Sequence, residues 1–228
     1  MTFSFLVCGL DFDERPIKPD SGIGLVVAGE NANLQVHPWV VSLVIVESSN
    51  SRKLHCTGTL ISDRHVLTAS HCLLDVNLTR IAILLASVKP EADYEEDRVV
   101  RTLENHWKHP DYQDHQAYYD IAVVLLNQPI NFTKYIYPVC LPEQSQPIGH
   151  RENRLATIVG YGPDLQQPRR VVLSQAFVQV NTMDVCKNDY TDNGQSPKLK
   201  QFLDATLNRG FDDGLICASN PVGSFYNL

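Results

Sequence analysis

The sequence predicts an all-β protein of barrel or sandwich type, and three observations predict it. Short β-branched runs recur along the chain, turn residues separate them, and long helical patterns are scarce. The chain has 228 residues. All-β units commonly reach roughly 200–250 residues, so one compact body or two tight halves is expected.

The elements follow in order. Residues 11–24 are polar, with Pro and Gly, and read as a linker. The stretch Val40–Val46, Val-Val-Ser-Leu-Val-Ile-Val, is a strong strand. Residues 57–61, His65–Thr68, Ile81–Leu85, 121–126, 156–160 and 171–178 continue the series. The polar stretch from Asp184 to Tyr190 begins a helical turn. A division near residues 129–142 separates the strands into two groups.

Composition narrows the classes. Hydrophobic residues are 43% and charged residues 20%, ordinary for a soluble globular protein with a real core. No run of about 18 apolar residues exists, so no membrane partner is implied. The formal charge of −7 disfavours nucleic acid, whose phosphates need a basic face. Six cysteines leave structural, metal-binding and reduced states open, although no Cys-x-x-Cys occurs. The sequons at Asn77 and Asn131, together with the even cysteine count, lean toward a secretory route, with those two residues as glycosylation acceptors. The apolar stretch 3–10 is short and lacks a basic flank, so no signal sequence is evident.

Two motifs carry chemistry. Leu67-Thr68-Ala69-Ser70-His71-Cys72 and Asp120-Ile121-Ala122-Val123 offer a His and an Asp. A serine hydroxyl is too weakly acidic to attack an amide unaided. A His takes its proton and later passes it to the leaving amine, while an Asp fixes the ring tautomer and stabilises the imidazolium.

In these motifs the chain resembles the chymotrypsin/trypsin-type serine proteases. The two segments above resemble that family's Leu-Thr-Ala-Ala-His-Cys and Asp-Ile-Ala-Leu. Tyr137-Pro138-Val139-Cys140-Leu141-Pro142, Gly160-Tyr161-Gly162 and Gly214-Leu215-Ile216-Cys217-Ala218 resemble three further family segments, in the family's order. Cys8 ahead of the domain is similar to arthropod clip-type proteases. The resemblance implies two antiparallel β-barrels, the second incomplete. It implies a pre-segment over 1–25 and a peptidase domain over 26–228, divided into 26–135 and 136–228. It assigns His71 and Asp120 as catalytic residues, and protein as substrate or partner. It also implies disulfides Cys56–Cys72, Cys186–Cys217 and Cys8–Cys140, the last tethering the pre-segment. A loop of about 15 residues closed by the first is worth roughly 3 kcal/mol.

The same resemblance marks departures. Val26-Val27-Ala28-Gly29 matches the family's mature start, but Leu25 precedes it where a trypsin-like activator needs Arg or Lys. No Gly-Asp-Ser-Gly-Gly occurs in the 228 residues. Ser196, Ser219 and Ser224 are the late serines; Ser224 follows Gly223 but lacks the paired glycines of an oxyanion hole. Ser70, beside His71 on an extended segment, points to the opposite face and is structural. The chain is therefore read as stopping before the nucleophile segment, pocket and closing strands, and as inactive alone. The readings in competition are a serine endopeptidase with an incomplete chain, a non-catalytic homologue that binds a protein partner, and a non-functional fragment. No cofactor is expected. His106 and His109 have metal-like spacing without a third ligand, and the acidic loop Glu91, Asp93, Glu95, Glu96 is more a solvated loop than a calcium site.

Overall fold

A computed structural model describes residues 30–47, 51–142, 152–163, 171–191, 204–207, 209–211 and 214–219. The elements are β1 (Glu30–Asn31), β2 (Val40–Val46), β3 (Arg52–Leu60), β4 (His65–Thr68), β5 (Ile81–Leu85), β6 (Val99–Lys108), β7 (Ala122–Leu126), β8 (Leu155–Pro163), β9 (Val171–Asn181), α1 (Met183–Thr191) and β10 (Cys217–Ser219). Strands dominate, as the sequence predicts, and α1 stands where the helical turn is expected.

Six strands close into a barrel in the order β2-β3-β4-β7-β6-β5. Every neighbouring pair is antiparallel. Closure satisfies both edges of each strand, so no backbone row is left for unwanted pairing. The interior is aliphatic: Val41, Leu43, Leu60, Val66, Ile81, Ile83, Leu85, Val124 and Leu126 form one buried cluster. Each such side chain contributes about 1.5–3 kcal/mol on leaving water.

β2 is buried on both faces over Val40–Val44, which is why its sequence is apolar apart from the buried Ser42. Val41 and Leu43 point into the barrel. Val40 packs against the second half, and Val44 meets Ala82 and Leu84 on the outer side. Gly58 of β3 faces this interior at close range: a Cβ there would lie 2.7 Å from Val66 Cγ1 and 3.0 Å from Leu43 Cδ1.

β6 has no counterpart among the strands read from sequence. Its residues, Val-Val-Arg-Thr-Leu-Glu-Asn-His-Trp-Lys, are mostly polar. Val99 and Leu103 alone on this strand pack on the core cluster, and the barrel supplies the pairing that the local pattern does not announce.

The second half builds a four-stranded sheet around β9. β8 lies along one edge, in register from Leu155↔Gln179 to Pro163↔Val171. β1 and β10 share the other edge at different heights. This sheet does not close among the described residues, in keeping with the expected incomplete second barrel. Disulfide Cys186–Cys217 ties α1 to β10.

The two halves meet through Ala32, Leu34, Val40 and Leu173, with Trp39, Tyr135 and Tyr161 around them. Polar bonds stitch the seam. Tyr161 N–H donates to Thr57 Oγ1 at 3.1 Å, and its hydroxyl donates to Ser87 O at 2.5 Å. Leu173 N–H donates to Val88 O at 2.9 Å. Buried His37 places Nε2 2.6 Å from Gln175 Oε1.

Candidate active site

His71 sits in a 3-10 turn, Ser70–Leu73, directly after β4. The turn explains the fate of Ser70. It is not on an extended segment, as expected, because the chain coils as soon as it leaves β4. Ser70 is nevertheless structural: it is fully buried, and its hydroxyl donates to Ile121 O at 2.7 Å. That bond ties the His71 turn to the segment just before β7.

Asp120 stands in that segment. Tyr119 before it adopts a positive φ of 55°, a conformation that side chains with a Cβ rarely take. Ile121 N–H donates back to Tyr119 O at 2.7 Å, making a tight turn with Asp120 at its apex. His109 N–H donates to Ile121 O at 3.0 Å, anchoring the turn to the end of β6.

The two residues meet at two points. His71 Nδ1 lies 2.7 Å from Asp120 Oδ2, and His71 backbone N–H donates to Asp120 Oδ1 at 2.9 Å. One carboxylate oxygen thus holds the ring and the other holds the backbone beneath it. The His71 side chain is 60% exposed and that of Asp120 23%. The ring is open to an incoming group while the carboxylate is screened, so their attraction acts in a less watery setting.

Disulfide Cys56–Cys72 flanks the ring, with His71 Nε2 3.5 Å from Cys72 Sγ and 4.0 Å from Cys56 Sγ. These three residues are close enough together to suggest a metal cluster. Oxidised sulfurs are not thiolates, however, and thiolates are the form that binds metal. Cys140 is disulfide-bonded as well; its expected partner Cys8 lies outside the described residues.

His109 is placed for packing. His109 Nδ1 accepts the Asp111 backbone N–H at 3.2 Å, and its ring stacks on Tyr119 with centroids 4.6 Å apart. His106 belongs to β6, paired with Val124. The acidic loop is held from within. Buried Arg98 donates to Lys89 O at 2.8 Å, to Ala92 O at 2.7 Å and to Glu95 Oε2 at 2.5 Å. Glu95 Oε1 accepts Val88 and Lys89 N–H, and Glu91 accepts Leu54 N–H instead of turning toward Glu95. The Arg98 guanidinium sits against Glu95, and the Glu91 and Glu95 oxygens are turned to protein donors and do not converge as a calcium site requires. Burial alone would raise the Glu95 pKa, but hydrogen bonds from Ser87, Lys89, Arg98 and Val88 outweigh it and hold the carboxyl below its ordinary value.

Among the late serines, Ser219 is on β10, where its hydroxyl accepts Asn181 Nδ2–H at 2.8 Å. Ser196, Ser224 and Val26 lie outside the described residues. The sequons Asn77 and Asn131 are both on exposed surface. What the sequence does not reveal is the clasp on the Asp120 turn. Arg209 lies over the Tyr118 ring at 4.1 Å, a contact across more than ninety positions that no local motif signals.

The family model described as Trypsin matches residues 26–220. The chain is similar to the clotting factor G beta subunit of Tachypleus tridentatus, 29% identical over 206 residues covering 87% of this chain and 60% of that protein. It is similar to a CLIP domain-containing serine protease of Anopheles gambiae, 28% identical over 82% of this chain and 51% of the relative. It is also similar to a venom protease of Bombus pensylvanicus, 30% identical over 87% of this chain and 76% of the relative. The chain thus spans only part of these proteins, 51% of the mosquito relative and 60% of the clotting factor subunit.

Proposed function

The chain belongs to the trypsin-like serine protease family, and on that premise we propose that residues 1–228 carry the acid–base half of a serine endopeptidase. His71 is the general base toward a serine hydroxyl and then the acid toward the leaving amine. Asp120 is the carboxylate that orients it. The observation that carries this reading is the two-point grip of Asp120 on His71, at 2.7 Å to Nδ1 and 2.9 Å to the backbone nitrogen. With Nδ1 engaged, Nε2 is the nitrogen left to receive a proton. The ring's exposure supports the same role.

Protein is the substrate class in this family. The nucleophile is not supplied within these residues. Ser70 is buried and bonded to Ile121 O, Ser219 is engaged by Asn181, and no Gly-Asp-Ser-Gly-Gly occurs. The chain on its own is therefore inactive in this reading. A domain division at residue 136 is our reading, supported by the six barrel strands preceding it and β8–β10 following it, while β1 crosses over to pair with β9. The disulfides, the exposed sequons Asn77 and Asn131, and relatives named as a clotting factor subunit and a venom protease support an extracellular setting with glycosylation at those sites.

A second reading, a non-catalytic homologue that binds a protein partner, is favoured by one observation, the absence of the nucleophile motif from the 228 residues. The test is direct. Purified 1–228 is incubated with peptide substrates and a serine-directed fluorophosphonate; neither turnover nor labelling is expected. Labelling abolished by Ser224→Ala overturns the assignment. A transcript that continues in frame into a Gly-Asp-Ser-Gly-Gly segment supports the peptidase reading over the second. Secreted, folded protein of this length bound to a partner supports the second.

A further inference from the structure

The turn that carries Asp120 is held on its two sides by different parts of the molecule. After Asp120, the barrel holds it: Ser70 Oγ and His109 N–H both donate to Ile121 O. Before Asp120, residues of the second half hold it. Ala117 N–H donates to Thr206 O at 3.1 Å, and Gln116 Nε2–H donates to Ala205 O at 3.2 Å. The Tyr118 hydroxyl donates to Gly210 O and accepts Arg209 N–H at 3.0 Å. The Arg209 guanidinium lies 4.1 Å from the Tyr118 ring centroid and 5.3 Å from that of Tyr119, a position in which cation and ring face attract. Tyr119 is in turn stacked on His109.

We propose that residues 204–207 together with Arg209 and Gly210 are a clamp that fixes the approach to Asp120, with Arg209 and Tyr118 as positioning residues for the His71–Asp120 pair. The proposal rests on reading that pair as the acid–base machinery. The physical need is visible in the backbone. Tyr119 is in the left-handed region, where its Cβ is disfavoured, and such a residue persists only when its surroundings over-determine it. The barrel bonds at position 121 and the His71 bonds to Asp120 do not reach residues 116–118 on the N-terminal side of the turn. Catalytic groups must be held within about 0.5 Å of productive geometry. Four hydrogen bonds and two cation–ring contacts from Ala205, Thr206, Arg209 and Gly210, together with the His109 stack, supply the missing constraint. One consequence is that geometry in the first barrel depends on a segment between Cys186 and Cys217.

The experiment is amide hydrogen exchange on chain 1–228, read at two positions. The His71 N–H is bonded to Asp120 Oδ1 and is not touched by the clamp residues in any contact above, so its protection reports on where the carboxylate is. The Ala117 N–H reports on the clamp itself. Arg209→Ala and Tyr118→Phe are both expected to speed exchange at Ala117 and at His71 by about tenfold, the scale of one lost cation–π or hydroxyl contact. Barrel amides such as Leu43 and Val66 are expected to stay unchanged. Faster exchange at Ala117 with none at His71, in either folded variant, overturns the positioning role. Should Arg209→Ala unfold the whole chain, Tyr118→Phe, which keeps the ring, decides the matter by the same criterion. Asp120→Ala separates the two ideas: if it leaves His71 exchange unchanged, the His71–Asp120 reading itself fails, independently of the clamp.

Discussion

The closed barrel and the sheet around β9 solve the same packing problem differently. In the barrel every strand has two partners, and its long aliphatic side chains are shielded to nearly full burial. In the second sheet, β9 is flanked on both sides, but its neighbours end in open edges among the described residues. Val172, Leu173, Ala176 and Val178 are buried there, while Leu155 of β8 and Ile216 just before β10 are exposed. The difference teaches where the site's geometry resides. His71 and Asp120 both stand at the barrel's end, linked through Ser70 and Ile121, so their pairing rests first on barrel contacts.

The comparison is open to breakage at several levels. The largest expected effect is in the barrel core. Ile83 is fully buried in the central cluster, and Ile83→Ala is expected to cost about 2–5 kcal/mol in denaturant unfolding, with loss of the His71–Asp120 contact as the barrel loosens. Removing the Cys56–Cys72 bridge by paired Ala substitution is expected to cost roughly 3 kcal/mol, since it releases a loop of 16-residue separation beside the site.

A pair of glycines sharpens the contrast between halves. Gly58→Ala drives a methyl to within 2.7 Å of Val66 and is expected to cost about 1–3 kcal/mol. Gly162→Ala in β8 meets nothing within 4 Å and is expected to change stability by less than about 0.5 kcal/mol. Equal costs at both positions would mean that the second sheet is packed as tightly as the barrel.

The smallest effect is the pH dependence of the seam. Burial lowers the pKa of His37, with its hydrogen bond to Gln175 opposing the shift less strongly. The unfolded chain therefore binds a proton that the folded chain resists. Stability is full above the unfolded value of about 6.5 and falls as pH drops below it. Glu95, also held below its ordinary value, adds a second loss below about pH 4. Chemical unfolding across pH 4–7 is expected to show the first loss, and His37→Gln to flatten it.

Much of this architecture was legible in the chain because the barrel strands announce themselves. Val40–Val46, His65–Thr68 and Ile81–Leu85 are the strands found, end to end. The elements that stayed hidden are those whose partners are remote. β6 reads as polar because one of its faces is open to solvent, and β1 is two residues long, defined by β9 far along the chain. His71 and Asp120 were legible as motifs, and their two-point contact follows from the turns that the motifs encode. The Arg209 clasp was not legible, since nothing near Tyr118 or Arg209 signals the other. His109 shows how little spacing alone says: its interval from His106 resembles a ligand pair without a third ligand, and its ring serves as a platform for Tyr119.

The central claim is that residues 1–228 hold a finished His71–Asp120 pair. The most direct measurement is the proton spectrum of the histidine rings in chain 1–228. A low-field His71 Nδ1–H resonance, shielded from exchange by Asp120 and lost in Asp120→Ala, is the predicted result. A His71 ring proton that exchanges as freely in the parent chain as in Asp120→Ala would contradict the account.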